Sequence, residues 1–275
     1  MYSRAYVEVT NICNMNCSFC HGHSRPARSM TEEEYARVLA QLEGKTQYIY
    51  HHLMGEPLLH PLLPRFIRMA SEAGFRPMIT TNGTLLDRFG DAILVPGLHK
   101  VNISLHSFEG DDQAAHRTYL RSIVEFMEKA SGRGVKVSLR LWNNGFDEGR
   151  NDTVLDELKQ HFPEPWTENT RGYRIRAGLF LEWGDRFAWP DQNAADGGEC
   201  MTCRGLLDHF GILSDGTVVP CCLDSDGVIA LGNVFREDLS DILNSPRAKA
   251  IAAGWQRRTP SEDLCRRCGY AQRFS

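Results

Sequence analysis

The sequence has 275 residues, of which 42% are hydrophobic and 24% charged, with a formal net charge of −4. This length accommodates one large domain and a small one. The slightly acidic balance argues against a nucleic-acid partner, because nucleic-acid-binding proteins usually carry a basic surface. No apolar run approaches the length of a membrane span and no apolar signal segment follows Met1, so we expect a cytoplasmic protein without a membrane partner.

Strands and helices alternate along the first two thirds of the sequence. Short apolar runs predict six strands, at 5–10, 47–53, 76–81, 101–106, 135–141 and 173–179. Helical spacing of apolar residues predicts five helices, at 31–42, 61–73, 85–93, 114–131 and 153–162. Thr31 and Glu34 form a capping-box pattern at the start of the first helix. The alternation predicts an α/β fold with a parallel sheet, and six strands without closure suggest an open partial barrel.

The last third has a different composition. Residues 183–198 are rich in Asp, Gly, Pro and Asn, which is typical of a linker or a lid. Ser214, Asp215 and Gly216 separate two short apolar runs and predict a hairpin. We therefore divide the chain into a barrel over 1–182, a linker or lid over 183–199, and a small cysteine-rich domain over 200–275.

Nine cysteines form two groups, which in a cytoplasmic protein indicates metal or redox chemistry rather than disulfides. Cys13, Cys17 and Cys20 follow the first predicted strand, at the barrel end where such folds carry their chemistry. A four-iron cluster usually takes four cysteines, so three local thiolates would leave one iron open for a substrate or cofactor. Zinc sites tend to pair cysteines two by two, which fits this trio poorly.

The second cysteine group lies in the tail. The predicted hairpin brings two of its cysteines together and a C-x2-C loop supplies two more, and this candidate ligand set is Cys203, Cys221, Cys265 and Cys268. Cys200 could replace Cys203, because the two form a C-x2-C pair of their own, and Cys222 is left over. By geometry alone, four thiolates suit zinc as well as iron.

The C-x3-C-x2-C pattern resembles the radical S-adenosylmethionine (radical SAM) superfamily. The arrangement C-x12-G-x4-C followed by C-x2-C looks like the twitch domain, the shortened relative of the SPASM domain in that superfamily. The resemblance implies a partial (β/α)6 barrel, a first [4Fe–4S] cluster whose open iron binds SAM, and an auxiliary [4Fe–4S] cluster held by four cysteines. It also implies that the tail site takes iron rather than zinc.

Further strand-end residues match positions that contact SAM in this family. Met54-Gly55-Glu56-Pro57 looks like the family's Gly-Gly-Glu-Pro element, with Met54 in place of the first glycine. The resemblance implies the cofactor contacts Phe19, Gly55, Glu56, Asn82, Ser104 and Arg140. Glu56 could instead anchor its own turn, and Arg140 could pair with a nearby acidic residue. His106 could bind substrate or be a buried barrel histidine.

The resemblance implies an enzyme that reductively cleaves SAM and uses the 5′-deoxyadenosyl radical to abstract a substrate hydrogen, with the auxiliary cluster as electron relay. We expect a radical SAM oxidoreductase or maturase that receives electrons from a flavodoxin or ferredoxin. Maturation of a ribosomally made peptide, with a possible separate peptide-recognition protein, is favoured over dehydrogenation of a small alcohol or aminocyclitol. A non-catalytic iron–sulfur electron carrier is the third alternative. Candidate substrate contacts are Asp111, Asp112, Trp183, Phe187 and Trp189.

Overall fold

The computed structural model describes residues 1–110, 112–198 and 201–274. Two of the residues singled out above, Asp111 as a substrate contact and Cys200 as an alternative ligand, lie outside the described residues. Among the described helices, none combines the length and the hydropathy that crossing a membrane requires.

Within the described residues, one sheet of eleven strands organises the chain. The strands are β1 (Arg4–Val7), β2 (Tyr48–His51), β3 (Arg76–Thr81), β4 (Lys100–Ser104), β5 (Lys136–Leu141), β6 (Thr167–Asn169), β7 (Gly172–Arg176), β8 (Leu179–Trp183), β9 (His209–Ile212), β10 (Thr217–Val219) and β11 (Gly232–Asn233). Their order is β11-β10-β9-β1-β2-β3-β4-β5-β8-β7-β6. Strands β1 to β5 and β8 run parallel, which confirms the predicted partial barrel.

The described residues also form nine α-helices, several of which pack against this sheet. They are α1 (Glu32–Leu42), α2 (Leu63–Glu72), α3 (Leu86–Ile93), α4 (Gln113–Gly132), α5 (Arg150–His161), α6 (Leu239–Leu243), α7 (Pro246–Gln256), α8 (Asp263–Arg266) and α9 (Gly269–Gln272). Helix α1 begins with the predicted capping box: Thr31 Oγ1 accepts a bond from the Glu34 amide, and Glu34 accepts one from the Thr31 amide. Fully buried strand residues such as Ile49 and Val101 face these helices and form the core.

The sixth parallel strand differs from the predicted one. A turn at Gly178, which has a φ of +80°, reverses the chain, so that β7 runs antiparallel to β8 and lies between β8 and β6. The parallel partner of β5 is β8, of which only Leu179 belongs to the predicted sixth strand. Strand β8 ends at Trp183, one residue beyond the proposed barrel boundary, and the domain boundaries stay predictions.

Two features of the tail also differ from expectation. The amphipathic pattern over 240–253 predicts a single helix, and the structure has two helices there, because Ser245 caps a new helix that begins at Pro246. Strand β9 pairs in parallel with β1, with Arg4 opposite His209 and Val7 opposite Ile212. The predicted hairpin, β9 and β10, therefore extends the barrel sheet and carries the second cysteine group to the edge of the barrel.

Candidate active site between two cysteine groups

The first cysteine group occupies an irregular loop after β1. Cys13 and Cys20 are exposed and Cys17 is half-buried. The three thiols are close enough for their charges to affect one another, and burial raises the pKa of Cys17 to about 11. The Cys17 thiol donates to the carbonyl of Ser107 over 3.7 Å. The structure thus brings the three predicted cluster ligands together at the expected end of the barrel.

The loop after β2 packs tightly against the chain that enters the cysteine loop. Gly55 has a φ of +78°, and a Cβ atom there would lie 2.4 Å from the Thr10 carbonyl oxygen. The buried Glu56 carboxylate accepts bonds from the Leu58 amide (3.0 Å), the Thr81 hydroxyl (2.8 Å) and the Asn82 amide (2.8 Å). Burial raises the pKa of Glu56 to about 7, although these hydrogen bonds lower it. Its side chain therefore anchors the loops after β2 and β3 to each other.

Asn82 connects these loops to the cysteines. Its Nδ2 donates to Asn14 Oδ1 over 3.0 Å and lies 4.0 Å from Cys13 Sγ. The Tyr119 hydroxyl of α4 donates to the Asn82 carbonyl over 2.8 Å. The predicted Thr-Asn-Gly turn is thus part of the scaffold that positions the first cysteine of the loop.

Segment 184–198 approaches the cysteine loop at Phe19. The Phe19 ring lies 4.8 Å from the His106 ring and 5.6 Å from the Arg186 guanidinium. The Trp189 indole donates to the Phe19 carbonyl over 2.9 Å. Burial lowers the pKa of His106 to about 4, so this imidazole is neutral near pH 7.

A charged layer crosses three adjacent strands inside the barrel. Ser104 on β4, Arg140 on β5 and Glu182 on β8 are register neighbours. Arg140 Nε lies 4.0 Å from Glu182 Oε2, and Lys100 Nζ lies 3.6 Å from Glu182 Oε1. Sequence reasoning singled out Ser104 and Arg140 but missed Lys100 and Glu182. Glu182 was missed because its strand was not recognised.

The second cysteine group is more deeply buried than the first. Cys268 is buried, and Cys203, Cys221 and Cys265 are half-buried. Burial raises the pKa of all four thiols, and their charges affect one another, which places them together. Within the described residues, no three His, Cys, Asp or Glu side chains are close enough to hold a single metal ion. Four thiols that converge in this way are the ligand set of an iron–sulfur cluster or of a zinc site.

Glu8 joins the two cysteine regions and was not singled out from the sequence. This fully buried carboxylate accepts two bonds from the Arg25 guanidinium, at 2.8 and 2.6 Å. It also accepts bonds from the Ser214 hydroxyl (2.8 Å) in the β9–β10 turn and from the Met54 amide (3.2 Å) after β2. The segment after the first cysteine loop is therefore fastened to the tail hairpin through one carboxylate.

A cavity of about 790 Å³ lies between the two cysteine regions. It is lined by all four tail cysteines, by Cys222, and by Phe19 from the first loop. Three of the six predicted cofactor contacts line this cavity, namely Phe19, Ser104 and Arg140. The other three, Gly55, Glu56 and Asn82, hold the surrounding loops in place.

Of the predicted substrate contacts among the described residues, two line the cavity and two do not. Phe187 and Trp189 line the cavity, and the lining residues do not include Trp183 or Asp112. Asp112 instead caps α4, because its carboxylate accepts bonds from the Ala114 amide (2.9 Å) and the Ala115 amide (3.1 Å). Cys222, the spare cysteine, packs against Tyr6.

Two family models match the chain. One describes the radical SAM superfamily and covers residues 7–154, and the other describes an iron–sulfur cluster-binding domain, SPASM, and covers residues 203–269. These matches confirm the cofactors predicted from the sequence, S-adenosylmethionine and [4Fe–4S] clusters.

Proteins of known name are similar in sequence to part or most of this chain. A probable GTP 3′,8-cyclase of Archaeoglobus fulgidus is 32% identical over 88% of this chain and 93% of its own length. A GTP 3′,8-cyclase of Chlorobaculum tepidum is 36% identical over 38% of this chain, and the match spans only about a third (32%) of that protein.

Solved structures of similar fold cover almost the whole chain. The structure of BtrN in complex with AdoMet and 2-DOIA has a TM-score of 0.64 at 20% identity and covers 98% of this chain and 93% of that one. The structure of Streptococcus suis SuiB bound to the precursor peptide SuiA has a TM-score of 0.55 at 16% identity, and covers 99% and 70%. At these identities the likeness concerns the fold.

Proposed function

Because this chain belongs to the radical SAM superfamily, we propose that it is a radical SAM enzyme acting on a small, polar substrate in the cavity between its two cysteine groups. The observation that carries this proposal is that one cavity touches Phe19 of the first cysteine loop, the tail cysteines and a charged barrel layer. Cys13, Cys17 and Cys20 would hold the SAM-binding cluster, and the auxiliary cluster would be held by Cys203, Cys221, Cys265 and Cys268. When bound at the first cluster, SAM supplies on one-electron reduction the 5′-deoxyadenosyl radical that takes a hydrogen atom.

The residues around the cavity shield it from water and set its charge. Trp189 and Arg186 of segment 184–198 contact Phe19, and this cover would restrict solvent at the barrel mouth. The auxiliary site opens on the same space and would serve as an electron relay. A substrate between the two sites is within reach of both.

The charge of the cavity lining favours a small anion over a peptide. Six basic side chains line it, Arg4, Lys100, Arg140, Arg171, Arg186 and Arg204. Four acidic side chains line it, Glu182, Asp185, Asp208 and Asp224. The excess is local to the barrel side of the cavity, where Lys100, Arg140 and Arg171 lie around the single carboxylate of Glu182, and a local excess of basic groups beside low-dielectric walls attracts anions. The relatives named GTP 3′,8-cyclase are consistent with this class, because GTP is a small anion.

Peptide maturation and dehydrogenation of a small alcohol or aminocyclitol stay predictions. The folds of SuiB and BtrN do not decide between them, because both likenesses are at 20% identity or less. The electron donor, a flavodoxin or ferredoxin, and a separate peptide-recognition protein stay predictions as well, as do the oxidoreductase activity and the twitch form of the tail domain.

The test is anaerobic reconstitution with iron and sulfide, iron counting, and measurement of 5′-deoxyadenosine after reduction in the presence of SAM. We expect about eight irons per chain, four for each cluster, and formation of 5′-deoxyadenosine. A fully loaded protein that forms none would favour the electron-carrier alternative and overturn the enzyme proposal.

The substrate class can be tested with extracts of the source cells. We expect an extract to stimulate 5′-deoxyadenosine formation, and we expect this stimulation to survive treatment of the extract with a protease. Loss of the stimulation after protease treatment, with a mock-treated extract as control, would instead support a peptide substrate.

A further inference from the structure

The charged layer inside the barrel contains more positive charge than the protein neutralises. Lys100 and Arg140 share a single carboxylate, Glu182, at 3.6 and 4.0 Å. Both distances exceed that of a normal charge-assisted hydrogen bond. Arg171 lines the same cavity, and its charge acts on both Arg140 and Glu182. Three cations therefore surround one carboxylate.

The Arg140 side chain is held in place, but one of its nitrogen atoms has no hydrogen-bond partner among the described residues. Its side chain is only 14% exposed, and its Nε is buried without a hydrogen-bond partner among the described residues. The guanidinium lies 4.8 Å from the centre of the Trp142 ring, which fixes its orientation. A buried and oriented guanidinium nitrogen without a hydrogen-bond partner is costly unless a ligand supplies one.

We propose that Lys100 and Arg140, with Arg171 at the rim, form a subsite for a phosphate group of the substrate. This inference rests on the proposed function and narrows its substrate class from small anions to phosphate esters. A doubly charged phosphate matches the excess of two positive charges over Glu182, and it offers several acceptor oxygens to the guanidinium and the ammonium group. A carboxylate would neutralise half of that excess. Ser104, beside Arg140 in the register, adds a hydroxyl at the edge of the subsite.

The test is anaerobic calorimetric titration of the cluster-loaded protein with inorganic phosphate and with acetate, at constant ionic strength and with saturating SAM. We expect phosphate to bind at least about tenfold more tightly than acetate, and Arg140→Gln and Lys100→Gln each to weaken phosphate binding about tenfold or more, because each removes a hydrogen bond to a charged group. Arg65→Gln, which makes the same charge change at an exposed ion pair with Glu32, is the matched control and should bind phosphate as the wild type does.

Glu182→Gln gives a result that misfolding cannot produce. Removing the carboxylate that competes for both cations should tighten phosphate binding several-fold. Phosphate binding that is unaffected by all three substitutions, or that is no tighter than acetate binding, would overturn the subsite.

Competition with SAM would also overturn the subsite, because Arg140 would then hold the methionyl carboxylate. The proposed function is judged separately, by 5′-deoxyadenosine formation without phosphate. If the protein cleaves SAM but does not bind phosphate at Lys100 and Arg140, the phosphate subsite is overturned and the proposed function stands.

Discussion

The two cysteine regions differ in how the chain encloses them. Cys13 and Cys20 are exposed in a loop that is held from outside, by Asn82 and by the Ser107 carbonyl near Cys17. The tail cysteines are half-buried or buried among packed elements. An open loop leaves room for a cofactor that must enter and leave. A closed set of four thiols suits a cluster whose ligands all come from protein and whose task is electron transfer.

The regions are nevertheless mechanically connected. Glu8 bonds to Arg25 after the first loop and to Ser214 in the tail hairpin, and β9 pairs with β1 immediately before the first cysteines. Removing a cysteine from one region should therefore affect only the cluster of that region. Removing the Glu8 carboxylate should instead lower the stability of both regions.

The largest effect is expected from Cys17→Ala. Loss of one of three local ligands should remove the first cluster, lower the iron content by about four atoms per chain, and abolish 5′-deoxyadenosine formation. Iron counting and product analysis check this. Cys222→Ala is the control for iron content, which should not change because Cys222 is not in the predicted ligand set. Full activity of Cys17→Ala would remove the assignment of the first cluster.

Cys265→Ala tests the role of the tail cysteines. It too should lose about four irons, yet SAM cleavage in the absence of substrate should persist, because the first loop keeps its three thiols. Electron paramagnetic resonance of the reduced protein should show one remaining cluster signal that changes when SAM is added. If Cys265→Ala instead lost the SAM-responsive signal, the division of roles between the regions would be wrong.

Glu8→Gln should lower stability without removing a ligand. Weakening a buried, doubly bonded ion pair costs about 3 kcal/mol, so the thermal midpoint of the loaded protein should fall by roughly 5–10 °C. The control is Glu32→Gln, at a partly exposed pair with Arg65, where the loss should be below about 1 kcal/mol. Equal midpoints for the two variants would show that Glu8 does not couple the regions.

Tyr119→Phe should have the smallest effect. It removes one hydrogen bond to the Asn82 carbonyl, worth about 1 kcal/mol, and should lower the midpoint by roughly 2–4 °C. Tyr173→Phe, at a half-buried tyrosine of β7 away from the cysteine loop, is the comparison variant. A midpoint unchanged by Tyr119→Phe would mean that α4 does not support the Asn82 turn.

The sequence by itself determined the features that depend on neighbouring residues. Cysteine spacing, the Thr31–Glu34 capping box and the strand–helix alternation are local patterns, and they were sufficient for the family, the partial barrel and the cofactors. The same local signals misplaced the sixth strand, because the residue pattern over 173–179 predicts one continuous strand where a tight turn at Gly178 separates β7 from β8.

Only the tertiary structure decided the contacts that join distant parts of the chain. Ser214 reaches Glu8 across 206 positions, and Glu182 meets Lys100 and Arg140 through strand register alone. Such pairs leave no local pattern, because each partner is an ordinary polar residue until the sheet places it in the barrel. The excess charge inside the barrel, on which the proposed substrate class depends, follows from that placement and not from the composition, which is slightly acidic overall.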